Sequence, residues 1–116
     1  KAKLMQKKWE ILAKNNNVNI AVLEYVSLNN TNYDLVINAT SSGLVEGAMP
    51  MASEYFIPET IYYDMTYGFE TPFMRASEAK GAKTFDGTGM LIEQAAESFF
   101  IWHKLKPNTT NTFKIL

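Results

Sequence analysis

The stretch Tyr33-Asp34-Leu35-Val36-Ile37-Asn38-Ala39-Thr40-Ser41-Ser42-Gly43 constrains the fold more than any other part of this chain. Leu35 to Ile37 form an apolar run without alternation, and the run stops abruptly at the amide of Asn38. Such a run between polar flanks suits a short strand buried on both faces of a parallel sheet. The switch to small, hydroxyl-rich residues marks its carboxyl end, the edge at which open α/β sheets bind ligands.

Two further runs end the same way. Thr60-Ile61-Tyr62-Tyr63-Asp64 is rich in β-branched and aromatic residues and gives way to Met65-Thr66-Tyr67-Gly68. Ala82-Lys83-Thr84-Phe85 is a shorter third strand ending in Asp86-Gly87-Thr88-Gly89. The intervals from Asn38 to Thr60 and from Asp64 to Lys83 both exceed the roughly dozen residues a parallel crossover requires. Between the second and third strands, Thr71-Pro72 is a helix start with threonine as N-cap, and Gly81 is a stop. A short helix is expected over Ala52–Ile57, and a long one from about Met90 to Lys104, stopped by Pro107. Upstream, Leu4, Met5, Trp9, Leu12 and Ala13 lie on one stripe of an amphipathic helix closed by Asn15-Asn16-Asn17. Val18 to Val22 alternates as an edge strand would, Leu28–Asn32 is a polar turn, and Leu44–Pro50 is a loop. The fold class expected is α/β: a partial Rossmann-like, mainly parallel sheet with flanking helices over residues 1–107, followed by a tail, 108–116.

With 116 residues, 47% of them hydrophobic, and a net charge of −1, the chain is one domain's worth of material and not a disordered composition. No basic excess points to nucleic acid, and no apolar run approaches the ~18 residues of a membrane span. Without cysteine there is no thiolate metal site, disulfide or cysteine nucleophile. That usage fits the cytoplasm. The chain opens at Lys1 without methionine, as if inside a helix already under way.

Few residues carry chemistry by pattern alone. The turn Asp86-Gly87-Thr88-Gly89 lets a flat ligand approach backbone at a helix start, or it is simply a tight strand-to-helix turn. Gln94 shares a broad helical face with Met90, Leu91, Ala95, Ser98, Phe99 and Trp102; a buried amide there bonds either a loop carbonyl or a ligand hydroxyl. Tyr67 follows the second strand and either packs or turns its hydroxyl to the cleft, and Met65 offers a soft surface to an aromatic ring. His103, the single histidine, reads as a solvated residue at a helix C-terminus. Asp64 and Asp86 end different strands and could form a carboxylate pair, although capping or turn roles account for both. Gly-x-Gly occurs only at Gly87 and Gly89, so the glycine fingerprint of a complete dinucleotide fold is missing.

Tyr33 to Gly43 resembles the Asn-Ala-Thr-x-x-Gly motif of the shikimate dehydrogenases. Tyr63-Asp64-Met65-Thr66-Tyr67 with Thr71-Pro72-Phe73 resembles that family's Tyr-Asp-x-x-Tyr and Thr-Pro-Phe blocks. Asp86-Gly87-Thr88-Gly89-Met90-Leu91, then Gln94-Ala95-Ala96, resembles its Asp-Gly-x-Gly-Met-Leu…Gln-Ala-Ala helix. The resemblance covers residues 33–107 and implies the later part of a two-domain enzyme that exchanges a hydride between NADP(H) and 3-dehydroshikimate or shikimate. It places the substrate domain, the catalytic lysine–aspartate pair and the phosphate loop upstream of Lys1, leaving no catalytic residue in this chain. It implies cofactor contacts at Met65 and Gly87, cleft-lining positions at Thr40, Ser42 and Met90, and a remnant of the 2′-phosphate site at Lys1. Tyr67 and Gln94 resemble the shikimate-binding tyrosine and glutamine. Lys104 stands where the family often has glycine, and Asn108 where it often has aspartate. Two alternatives remain: a quinate/shikimate dehydrogenase able to use NAD, and a non-catalytic domain retaining the fold. Half a Rossmann sheet would also expose apolar surface and favour self-association.

Overall fold

Three of the apolar runs pair as expected. In the computed structural model, which describes residues 1–28, 32–44 and 48–114, β1 (Leu35–Asn38), β2 (Ile61–Asp64) and β3 (Lys83–Phe85) form one parallel sheet in the order β1-β2-β3. The register sets Asn38 opposite Asp64, and Tyr63 opposite Phe85, so all three carboxyl ends meet at one edge. The chain divides into two compact units, Lys1–Thr31 and Asn32–Leu116, and the sheet lies wholly in the second.

One face of the sheet carries the core. Val36 and Tyr62 project from it toward Phe56 and Phe73, which are almost fully buried, and Met51, Ala76 and Ala82 close the cluster. The three rings meet at centroid distances of 4.9, 5.3 and 5.8 Å in tilted or edge-on contacts, the geometry aromatic quadrupoles favour. In the β1–β2 crossover a 3₁₀ turn at Ser42–Leu44 follows β1, and a second, Ser53–Tyr55, stands where a short helix over Ala52–Ile57 was expected. The Tyr62 hydroxyl pins this segment by accepting the Ile57 N–H at 2.9 Å, and Phe56 fills the core.

The opposite face differs from the expectation that the first strand is buried on both sides. Leu35 (50% exposed), Ile37 (55%) and Phe85 (50%) stand on it largely bare. Period-2 geometry sends Val36 inward and its two neighbours the other way, and among the described residues of this unit the core cluster lies on Val36's side.

The helix α2 (Pro72–Glu78) starts at Thr71, whose Oγ1 accepts the Met74 N–H, with Pro72 in the first turn. Ser77 and Thr84 share a 2.6 Å hydroxyl bond between α2 and β3. The chain turns at Gly81, whose φ of +78° is open to glycine at little cost. The next helix, α3 (Thr88–His103), ends at Lys104, with φ +57° and ψ +21°. That left-handed C-cap explains why glycine suits the position. Lys104→Gly is expected to raise the unfolding free energy by up to about 1 kcal/mol in urea titrations. The tail folds back, with Thr109 Oγ1 donating to Glu93 at 2.9 Å and Phe113 lying near Gly89.

In the first unit, α1 (Ala2–Asn15) ends where the asparagine run predicted. Asn17 is left-handed at φ +55°, and Val18 N–H reaches back to the Ala13 carbonyl at 2.8 Å, the closing bond of a Schellman turn. Val18–Val22 makes no strand pairing among the described residues, contrary to the edge strand expected; alternation supplies a face but no neighbouring ladder. Ile20 is held through its carbonyl, which accepts from Gln6 Nε2. Parts of the turn over Leu28–Asn32 and of the loop over Leu44–Pro50 fall outside the described residues.

Candidate functional site

A buried polar network occupies the carboxyl edge of the sheet, and the Asp64 carboxylate is its centre. Asp64 is fully buried. Its Oδ2 accepts from Thr71 Oγ1 at 2.6 Å and from Asn38 Nδ2 at 3.1 Å, while Oδ1 accepts the Thr66 N–H at 2.9 Å. One side chain thereby ties the end of β1, the loop after β2 and the start of α2. Burial by itself pushes an aspartate upward. Here the bonds from Thr71, the Thr66 backbone and Asn38 outweigh it, and the carboxyl titrates below its ordinary 3.8.

Two loops rest on this frame. Beyond β1, Thr40 donates both its N–H (3.1 Å) and its hydroxyl (2.8 Å) to Asn38 Oδ1, and Ser42 Oγ lies 2.8 Å from Thr40 Oγ1. Beyond β2, Met65 N–H donates to the Asn38 carbonyl at 3.0 Å, and Gly87 N–H donates to the Thr66 carbonyl at 2.8 Å. Gly43 presses against this second loop, since a Cβ there would meet Thr66 Oγ1 and Thr71 Cγ2 at 2.9 Å. Gly87 comes closer still: its Cβ would stand 2.2 Å from the Met65 carbonyl oxygen. Asp86 bonds Thr88 through both oxygens, to N–H at 3.1 Å and hydroxyl at 2.6 Å, which orders the entry into α3. Asp64 and Asp86 thus hold separate partners, and the capping and turn roles describe them better than a carboxylate pair.

The structure brings Thr40, Ser42, Met65 and Gly87 to one edge. Thr40 is exposed and Ser42 half-buried there, Met65 is 39% exposed, and Met90 is half-buried in the first turn of α3. Tyr67 is half exposed on the loop after β2, so its hydroxyl is free of the core. Gln94 departs from the burial expected of it: α3 buries Ile92 and Ala96, and Gln94 faces solvent with Phe99 and Trp102. Apolar residues are spread around α3, so a helical wheel alone could not say which stripe packs. Lys1 precedes α1 in the first unit, where its carbonyl accepts from Leu4 and Met5. His103 lies exposed against Phe99, ring centroids 4.5 Å apart. Sequence reasoning gave Asp64 a capping or turn role, with a carboxylate pair as the alternative, and passed over Thr66 and Thr71 as its partners. The spacing Asp64-x-Thr66 and the N-cap threonine were the available signals.

A two-layer parallel sheet with its polar groups gathered at the carboxyl edge, leading through a glycine corner into a helix, defines part of a Rossmann-like domain. Residues 87–111 match the model of the shikimate 5′-dehydrogenase C-terminal domain. The shikimate dehydrogenase (NADP(+)) of Methylobacillus flagellatus is 53% identical over 78 residues, covering 66% of this chain and 29% of that protein. Among solved structures, an Ael1 enzyme from Pseudomonas putida superposes with a TM-score of 0.77 at 32% identity, over 96% of this chain and 42% of that one. The shikimate 5-dehydrogenase from Thermus thermophilus, solved with NADP(H) and shikimate, superposes at 0.68 and 31% identity over 84% of this chain and 37% of its own. The chain corresponds to the C-terminal part of the shikimate dehydrogenase family. It spans between 28% and 37% of the length of the curated relatives it matches.

Proposed function

We propose that these residues form the C-terminal, cofactor-facing part of an NADP-dependent shikimate dehydrogenase, a cytoplasmic enzyme reducing 3-dehydroshikimate to shikimate. The observation that carries this reading is the approach of Gly87, where the segment matching the family model begins, to the Met65 carbonyl at the sheet's carboxyl edge. A side chain at position 87 would collide with the Met65 carbonyl, whereas glycine lets the loop after β2 and the entry to α3 close against one another beside the cleft. In this reading Met65 and Gly87 hold the nicotinamide end, Thr40, Ser42 and Met90 line the cleft beside it, and Lys1 belongs to the 2′-phosphate site. Bound there, NADPH supplies the hydride. Tyr67 and Gln94, exposed at the loop after β2 and on α3, present a hydroxyl and an amide to the substrate hydroxyls. Polar partners of this kind reject analogues lacking a hydroxyl by factors on the order of 10⁴, because the unpaired groups suffer.

The lysine–aspartate pair of the family has no counterpart in the matched motifs, so the 116 residues alone are expected to show no NADP-dependent oxidation of shikimate in an absorbance assay at 340 nm. In a complete enzyme carrying this chain, Tyr67→Phe and Gln94→Ala are expected to raise KM for shikimate about tenfold or more, leaving KM for NADP+ little changed. Unchanged shikimate kinetics in both variants would remove the two substrate assignments. Equal use of NAD+ and NADP+ would favour the quinate/shikimate type.

A further inference from the structure

The hydroxyl chain beyond β1 has a direction, and the direction originates at Asp64. An ionised carboxylate only accepts hydrogen bonds, so the Asn38 side-chain group 3.1 Å from Asp64 Oδ2 must be its NH₂. The amide oxygen of Asn38 therefore faces Thr40, consistent with its accepting the Thr40 N–H as well. Thr40 has a single hydroxyl proton, and it goes to that oxygen at 2.8 Å. The 2.8 Å contact between Thr40 and Ser42 could in isolation run either way, but Thr40 has no second proton, so Ser42 is the donor. The Ser42 N–H also points at Thr40 Oγ1, at 3.3 Å. Ser42 has then spent its proton and keeps only lone pairs for anything outside the chain.

Building on the cofactor reading above, we propose that Asp64 is a positioning residue that fixes, through Asn38 and Thr40, the hydrogen-bond polarity of Ser42, so that Ser42 Oγ meets the ligand as an acceptor and selects a donor group. Of the nicotinamide half of the cofactor, the groups that fit are the carboxamide N–H and a ribose hydroxyl. Replacement of Asp64 by asparagine removes the acceptor-only group and permits the side-chain links of the chain to reverse. Asn38 can flip to give its oxygen to the new amide; the Thr40 N–H then loses its acceptor, Thr40 Oγ1 accepts from Asn38 Nδ2 and donates to Ser42, and Ser42 is left with a proton directed at the ligand. A donor then faces a donor.

The test is an NMR titration of the 116-residue chain with NADP+ and with its 3-acetylpyridine analogue, in which a methyl group replaces the carboxamide NH₂. Ser42→Ala, Thr40→Val and Asp64→Asn are each expected to weaken NADP+ about tenfold. Thr40→Ser, which keeps the hydroxyl, restores what Thr40→Val loses. A purely structural role for Asp64 would not make its effect depend on that hydroxyl. If Ser42→Ala weakens NADP+ but not the analogue, the selected donor is the carboxamide; if it weakens both alike, the donor is a ribose hydroxyl. Unchanged NADP+ affinity in Ser42→Ala overturns the inference. Failure of NADP+ to shift the amides of Met65 and Gly87 in the unsubstituted chain overturns the cofactor reading instead. The polarity is then judged without ligand, from the Asn38 side-chain amide: a large shift in Asp64→Asn upholds it, and an unmoved signal overturns it.

Discussion

Asp64→Ala is expected to lower the unfolding free energy of the Asn32–Leu116 unit by about 3 kcal/mol or more, read from the midpoint and slope of urea denaturation followed by circular dichroism. The substitution leaves Asn38 Nδ2, the Thr71 hydroxyl and the Thr66 N–H without their acceptor, two of the three in a buried setting. Each unsatisfied buried donor costs roughly 1–3 kcal/mol, and the loss of packing adds to it. Asp64→Asn should fall less far, because a flip of Asn38 can re-pair most of these groups. The same carboxylate gives the fold an acid sensitivity whose sign is fixed. Its folded pKa lies below 3.8, so its contribution is fully present above the unfolded value and is lost as pH falls through the folded one. Unfolding free energies measured between pH 6 and pH 3 should therefore decline more steeply in the unsubstituted chain than in Asp64→Asn, which has nothing at that position to protonate.

Gly87→Ala is expected to cost about 3 kcal/mol of stability and to abolish detectable NADP+ binding, while its near neighbour behaves in the opposite way. The added methyl would stand 2.2 Å from the Met65 carbonyl oxygen and 2.7 Å from its carbon, and both are backbone, so no side-chain rotation relieves the clash. Opening the corner would also break the 2.8 Å bond from Gly87 N–H to the Thr66 carbonyl and move the loop that carries Met65 and Tyr67. At Gly89, inside the first turn of α3, the nearest atom to an added Cβ is Phe113 Cε1 at 3.7 Å, an ordinary contact. Gly89→Ala should therefore be neutral or stabilising by roughly 0.5–1 kcal/mol, from helix propensity and reduced freedom of the unfolded chain. Thermal unfolding of the two variants side by side separates a glycine needed for close approach from one that is not.

Most of the sheet was legible in the residues themselves. Leu35–Asn38, Ile61–Asp64 and Lys83–Phe85 carry strong β-formers bounded by polar breaks, and Thr71-Pro72 with Gly81 punctuates α2 through side-chain and backbone preferences that act within a few positions. Val18–Val22 shows where local pattern is not enough: it alternates like a strand, yet strand formation needs a neighbour in space. Gln94 shows the same limit on a helix. Its helix neighbours are mixed, Met90, Leu91 and Ala95 beside Glu93, Glu97 and Ser98, and only packing decides that Ile92 and Ala96 turn inward while Gln94 turns out.

By itself the sequence determined the order of elements, the three polar strand ends and the motifs that tie the chain to its family, because each depends on residues close together along the backbone. The tertiary structure alone decided what those ends do to one another. Asp64 meets Asn38 across a strand pair and Thr71 across a loop, and Gly87 meets the Met65 carbonyl from another strand. Parallel register sets those contacts, and no spacing within one segment encodes it. The stretch from Tyr33 to Gly43 is thus a strand by its own composition, and one wall of a polar site only through the partners that β2 and α2 bring to its end.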